Sequence, residues 1–200
     1  MAEMAKKSAT KTAKPQSNTK STSNSKSIQH LAEMIAGIQF AMLTTTGSRG
    51  VMHSRPMQTM NHEPELFDGT LWFFTDVDSP KVREVKSNPR VNLTYADADS
   101  NRYVSISGRA TVVTDRNKVH KMWTPAMKAW FPKGKIDPKI ALLEVKADDA
   151  EYWDAPASRM VRLAYYLKAI VTGTRATDMA DNKKLRVGAI KKKTKKVSRR

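Results

Sequence analysis

Short stretches in which apolar and polar residues alternate, or in which apolar residues run together, recur along the chain and predict β-strands. The predicted strands cover residues 38–45, 51–59, 71–75, 90–97, 102–114 and 140–153. The first two flank Gly47-Ser48-Arg49-Gly50, which predicts a hairpin turn. Six strands with short turns and few helices favour a small barrel, because closing the sheet removes exposed strand edges.

Irregular positions and helices refine this barrel. Gly108 is expected to bend the fifth strand, and residues 148–150 are expected to bulge the sixth. An amphipathic helix is predicted over residues 28–37, with Ser27 as its cap. Further short helices are expected over residues 79–87, 115–123 and 125–130.

An apolar strand, a polar turn and a helix follow one another between Trp72 and Lys86. Ser79 is predicted to cap this helix through its hydroxyl, and Pro80 falls at the first helical position, where a missing N–H costs nothing. Lys81 lies in the first turn, which is unfavourable for the helix dipole unless an anion is bound. Amides, a hydroxyl and an ammonium at one place favour a phosphate site. The alternative is an ordinary capped helix with a solvated lysine.

The charge of the chain lies mainly at its two ends. The total is +17, from 36 basic and 19 acidic residues. Residues 1–27 carry +5 and residues 174–200 carry +9, which leaves +3 on residues 28–173. Both ends are poor in large apolar residues, so they are predicted to be disordered basic tails around one domain.

Several classes of site are excluded or disfavoured by composition. The chain has no cysteine, which excludes disulfides, iron–sulfur clusters and zinc thiolate sites. Its four histidines show no metal-binding spacing, so no metal site is predicted. Neither an apolar run of membrane-spanning length nor the apolar segment of a secretory signal is present. A cytoplasmic protein without a membrane partner is therefore expected.

Four segments resemble, in order and spacing, the pyridoxamine-phosphate oxidase-like split barrels that bind FMN. They are Phe73-Phe74-Thr75 with Ser79-Pro80-Lys81, His53-Ser54-Arg55-Pro56-Met57-Gln58, Tyr103-Val104-Ser105-Ile106-Ser107-Gly108-Arg109-Ala110 and Glu151-Tyr152-Trp153-Asp154. The Ser-Arg-Pro-Met form is similar to the branch called general stress proteins. The resemblance covers roughly residues 28–173 and implies a six-stranded antiparallel split β-barrel, mainly β with a few short helices.

FMN is the cofactor that this resemblance implies. The residues expected to bind it are Arg55, Met57, Thr75, Ser79, Lys81 and Trp153. Thr75, Ser79 and Lys81 are expected to hold the flavin phosphate, and Arg55 to contact the phosphate or the ring. An ion pair on the surface is the alternative for Arg55.

Met57 and Trp153 are assigned to the flavin ring. The resemblance places Met57 and its backbone against the isoalloxazine ring, and the alternative is a methionine of the core. Trp153 is expected to approach the flavin, either within its own chain or across the interface of a homodimer. A core tryptophan is the alternative there.

The activity that the resemblance implies is that of an FMN-dependent oxidoreductase of unknown substrate, with catalytic residues unassigned. No acid–base or nucleophile motif is present, so the flavin would supply the redox chemistry. A counterpart of the oxidase's C-terminal arginine–histidine motif is also missing, so vitamin B6 oxidation is not expected. FAD and deazaflavin stay open as cofactors. The alternative function is a non-enzymatic flavin binder, or a nucleic-acid-associated protein acting through its lysine-rich tails.

Overall fold

The computed structural model describes residues 19–60, 67–154 and 181–187, together with Pro64, Lys168 and residues 170–172. Its helices and strands are α1 (Thr19–Ala36), β1 (Phe40–Thr46), β2 (Met52–Gln58), β3 (Thr70–Asp76), α2 (Pro80–Ser87), β4 (Arg90–Asp97), β5 (Arg102–Val113), α3 (Arg116–Met122), β6 (Ile140–Asp154) and β7 (Asp181–Arg186). None of the helices in this part of the chain is long and apolar enough to span a membrane.

All strands of the described chain form one antiparallel sheet. The order is β2-β1-β4-β5-β6-β3, and β7 pairs with β6 beside β3. The two ends of this order meet, because the amide of Met60 donates to the carbonyl of Trp72 at 2.9 Å. The predicted antiparallel split barrel is confirmed, with β7 as an additional strand within the described residues.

The barrel core consists of side chains that alternate along each strand. Leu43, Leu93, Ile106 and Leu143 come from neighbouring strands and are fully buried, as the period of two requires. Burying each such side chain stabilises the fold by roughly 1.5–3 kcal/mol. Tyr95 brings a hydroxyl into this core, and that hydroxyl lies 2.9 Å from the hydroxyl of Thr59.

A second apolar layer lies on the other face of β3 and β6. Trp72 and Phe74 of β3 pack there with buried residues of α3 and of the turns that follow it. The rings of Trp123 and Phe131 lie 5.8 and 6.1 Å from that of Phe74. Because β3 is covered on both faces, its residues Leu71 to Phe74 form an unbroken apolar run.

The predicted bulge of the sixth strand is confirmed. Ser107 of β5 pairs with Asp149 of β6, whereas Gly108 pairs with Ala147, so Asp148 is the extra residue. A β-carbon at Gly108 would lie 2.3 Å from the carbonyl oxygen of Lys146. Glycine is therefore required at this position, where the two strands approach closely.

The structure has a helix over residues 19–27, where the sequence predicts a disordered tail. The helix α1 begins at Thr19, eight residues before the predicted cap at Ser27. Helix extension is cooperative, and the turn anchored by buried Ile28 and Leu31 supports the polar residues that precede it. Residues 1–18 lie outside the described residues.

The structure has a strand over residues 181–186, where the sequence predicts a disordered tail. β3 pairs with β6 only over residues 140–146, and β7 pairs with it over residues 149–154. Backbone groups along that second part of β6 thereby gain partners, whatever side chains β7 carries. Val187 is buried next to this strand. Residues 188–200 lie outside the described residues.

Candidate functional site

A cavity of about 310 Å³ lies between β2 and the start of α2. It is lined by His53, Arg55, Pro80, Lys81 and Glu84. Strand alternation directs His53 and Arg55 of β2 to the same side. Lys81 and Glu84 are three residues apart on α2, which places them on one side of the helix. The strand β2 and the helix α2, which are distant in sequence, therefore bring an imidazole, a guanidinium, an ammonium and one carboxylate together.

The turn before α2 differs from its prediction in one hydrogen bond. Ser79 occupies the N-cap position and Pro80 begins the helix, as predicted. The hydroxyl of Ser79, however, donates to the carbonyl of Asp76 at 2.7 Å and makes no cap bond. The predicted side-chain cap is wrong because the tight turn offers a nearer acceptor. The hydroxyl of Thr75 lies 3.3 Å from that of Ser79.

Glu84 is the centre of a hydrogen-bonded network in the cavity wall. The guanidinium of Arg55 donates to its carboxylate at 3.0 Å and also to the hydroxyl of Thr45, which in turn donates to Glu84. The Nδ1 atom of His53 lies 2.9 Å from the other carboxylate oxygen. Glu84 is only 12% exposed and Arg55 only 23%. The network therefore fixes the guanidinium and balances its charge.

The ionisation of Glu84 follows from this network. Burial raises the pKa of its carboxyl, but the hydrogen bond from Thr45 and the charge and hydrogen bond of Arg55 outweigh burial. The resulting pKa lies below the ordinary value. Glu84 is thus ionised at neutral pH and offsets the charge of Arg55.

Lys81 has a different environment from Arg55. Burial lowers the pKa of its ammonium, and the charge of Arg55 lowers it further, while Asp76 and Glu84 act in the opposite direction. Within the described part of the chain, no carboxylate lies close enough to Lys81 to form an ion pair. A partly buried cation that faces a cavity at the positive end of a helix dipole is suited to bind an anion.

The six residues expected from sequence are distributed over three places. Arg55 and Lys81 line the cavity, while Thr75 and Ser79 form the turn beside it. Met57 is 7% exposed and belongs to the main core. Its side chain therefore packs in the core, which is the alternative given above for this residue. Trp153 lies at the end of β6, paired with Tyr103 and Asn182, and is not brought to the cavity within one chain.

Three residues of this site are missing from the sequence prediction. Thr45 is 1% exposed at the end of β1, and its burial depends on α2 packing against that strand. Glu84 follows Lys81 at helical spacing, which is a usable signal once the helix is assigned. His53 shares its strand face with Arg55, a signal that a search for metal-binding spacing does not detect.

We expect the substitution Glu84→Gln to lower stability in a pH-dependent way. A carboxyl whose pKa is lower in the folded protein contributes stability above its ordinary pKa of 4.5, and loses it as the pH falls through the lower folded value. The free energy of unfolding should therefore drop by about 2 kcal/mol at neutral pH and by progressively less below the ordinary pKa. Denaturant unfolding across this range measures it. Glu33, whose side chain is 58% exposed, is the control as Glu33→Gln. An equal loss at acidic and neutral pH would contradict the network.

Comparisons with known proteins agree with this architecture. A sequence profile of the family described as "Pyridoxamine 5'-phosphate oxidase like" matches residues 26–178. Protein bli-3 of Neurospora crassa is 30% identical over 159 residues, which is 75% of each chain. General stress protein 26 of Bacillus subtilis is 29% identical over 122 residues, 59% of this chain and 82% of that protein. The structure of the general stress FMN/FAD binding protein of Xanthomonas citri is 29% identical, with a TM-score of 0.56 over 65% of this chain and 89% of its own. The chain therefore belongs to the pyridoxamine 5'-phosphate oxidase-like family, within which it is similar to the general stress proteins.

Proposed function

We propose that this protein binds FMN, with the phosphate group in the cavity at the start of α2, and that it acts as a flavin-dependent oxidoreductase of the general stress type. The observation that carries the proposal is Lys81, a partly buried ammonium without a carboxylate partner among the described residues. The Xanthomonas citri relative is itself described as FMN/FAD binding.

The donors around the cavity fit a phosphate group. Lys81 supplies an ammonium that forms no ion pair with an acid of the described chain, and the helix dipole adds to its positive potential. Thr75 and Ser79 have hydroxyls in the adjoining turn, and that of Ser79 would have to exchange its hydrogen bond to the carbonyl of Asp76 for one to the phosphate. FMN ends in a phosphate monoester, whereas the phosphates of FAD are bridged to an adenosine. We infer FMN because its terminal phosphate monoester matches a cavity with a single ammonium at a helix start.

Arg55 is assigned to the flavin beyond the phosphate. A guanidinium has five N–H donors, and hydrogen bonds to Thr45 and Glu84 use two of them. The remaining donors are available to ring or ribityl oxygens of a flavin. Glu84 holds the guanidinium in place and offsets its charge. Arg55 would therefore orient the flavin through hydrogen bonds and would add little net charge to the site.

A homodimer is the second part of the proposal. The cavity of about 310 Å³ is at the lower end of the range for small-molecule sites, ~300–1,000 Å³, so it encloses only part of a flavin. The outer face of the sheet exposes Phe40, Met42, Met52 and Tyr103, and Trp153 pairs with Tyr103 on that face. A second copy covering this face would bury it and would bring Trp153 of one protomer towards the flavin of the other.

When bound, the flavin supplies the electron-transfer chemistry. The chain's own residues would hold the phosphate, orient the guanidinium and cover the ring. We infer that the substrate is not vitamin B6, because the arginine–histidine motif of the oxidase has no counterpart. A cytoplasmic location is proposed with this function.

Size-exclusion chromatography of the purified protein, with absorbance and light-scattering detection, tests the cofactor and the dimer in one run. A visible flavin spectrum should elute with a species of twice 22.4 kDa, and heating should release FMN. Protein that stays colourless after reconstitution with FMN and FAD would contradict flavin binding. A flavin-loaded monomer would contradict the dimer alone.

A further inference from the structure

One segment of the folded domain carries a charge that the domain total conceals. Residues 116–136, called the basic segment here, contain six basic residues and no acidic one. The other residues between 28 and 173 contain 13 basic and 16 acidic residues. The domain therefore has a net negative charge apart from this one strongly basic segment.

Four lysines of the basic segment are exposed and lack an acidic partner among the described residues. They are Lys121, Lys128, Lys133 and Lys135. The other two basic groups have structural roles. Arg116 donates to the carbonyls of Lys135 and Asp137, and the ammonium of Lys118 lies 3.6 Å from the centre of the Trp72 ring.

The basic segment also exposes a tryptophan on a packed support. Trp130 is 68% exposed, although its neighbours Met127 and Phe131 pack into the second apolar layer. Backbone hydrogen bonds from Trp130 and Phe131 to the carbonyl of Met127, 3.1 and 2.9 Å long, fix the turn. The indole is therefore held on the surface by neighbours that are themselves anchored.

We propose that the basic segment binds single-stranded nucleic acid, with its lysines on phosphates and Trp130 stacked on a base. Exposed lysines release counterions from a phosphate backbone, and an exposed aromatic ring stacks on unpaired bases whatever their sequence. This surface belongs to the folded domain and is independent of the lysine-rich tails and of flavin.

An anionic membrane is the competing partner, and the structure disfavours it. A helix or turn that lies in a membrane interface presents a continuous apolar face. In the basic segment, Val119 and Met127 are buried and Phe131 packs inward. Exposed apolar area is left mainly at Trp130 and Ile136, which are six positions apart. Stacking needs only the ring of Trp130.

Titration of the full-length protein with a fluorescent oligo-dT tests the proposal at several salt concentrations. Trp130→Ala should weaken binding about 5- to 150-fold, and Trp130→Phe should weaken it less because a ring remains. The combined change of Lys121, Lys128, Lys133 and Lys135 to alanine should reduce the slope of log K against log salt by about 3, since each phosphate contact contributes roughly 0.7. Lys86→Ala, at an exposed lysine of α2, is the control and should change the slope by less than the roughly 0.7 that one phosphate contact contributes.

Two results would overturn the assignment. Unchanged affinity and slope in the tryptophan and lysine variants would mean that any binding resides outside the basic segment. Loss of binding to vesicles of anionic phospholipid in the same variants, with oligo-dT binding unchanged, would assign the surface to a membrane. Thermal unfolding of each variant excludes a folding defect as the cause of lost binding.

Discussion

Replacing Lys81 with alanine is expected to weaken FMN binding by about 10- to 150-fold while changing riboflavin binding little. A hydrogen bond to a charged group contributes about 1.5–3 kcal/mol, which corresponds to that range. Riboflavin has no phosphate, so the interaction that the ammonium makes is absent from its complex. The comparison of the two ligands therefore isolates the phosphate contact from the overall shape of the site.

The control for this experiment lies on the same helix. Lys86 is an exposed lysine in the last turn of α2, and Lys86→Ala should leave both affinities unchanged. Isothermal titration with each ligand gives the two dissociation constants. Equal losses of affinity for FMN and riboflavin in the Lys81 variant would mean that the FMN phosphate does not contact Lys81, even if the protein binds flavin.

The substitution Gly108→Ala is expected to destabilise the protein by about 3 kcal/mol, the upper part of the range for overpacked sites. The added methyl would lie 2.3 Å from the carbonyl oxygen of Lys146, which is a backbone atom and cannot rotate away. Relief requires movement of the β5–β6 ladder at its bulge. For a domain of this size the midpoint of thermal unfolding should fall by roughly 6–12 °C.

Gly37→Ala provides the matched control. A β-carbon there would have the Nη2 atom of Arg102 as its nearest neighbour, at 3.5 Å, an ordinary contact with a flexible side chain. Thermal unfolding of the two variants under identical conditions compares them. Similar midpoints for both would mean that the bulge adapts to a side chain, against the close approach described above.

The strands were predictable because their apolar pattern depends only on which of their faces are buried. Leu71 to Phe74 is an apolar run covered on both faces, and β4 alternates because only one of its faces meets the core. β7 was not predictable in this way. Its pairing with β6 satisfies backbone groups, which does not require an apolar period, and residues 181–186 have none.

The two cationic residues of the candidate site were predictable from the sequence, whereas the residues that hydrogen-bond to Arg55 were not. Lys81 follows from helix-start chemistry and Arg55 from resemblance, and both line the cavity. Glu84 and Thr45 become part of it only when α2 lies across β1, a tertiary contact that spacing does not encode. The role proposed for Trp153 depends on a second copy, so neither the sequence nor a single chain can assign it.

β7 also has a bearing on solubility. Residues 149–154 of β6 are paired with β7 on one side, and without it their amides and carbonyls would form an open strand edge. Such an edge is a template for strands of other molecules, and therefore a starting point for aggregation. A shortened protein ending at Gly173 would lack β7 and so would differ from the full chain in self-association as well as in charge. Shortening the chain after Val187 instead keeps that edge covered while removing residues 188–200, with their run of lysines.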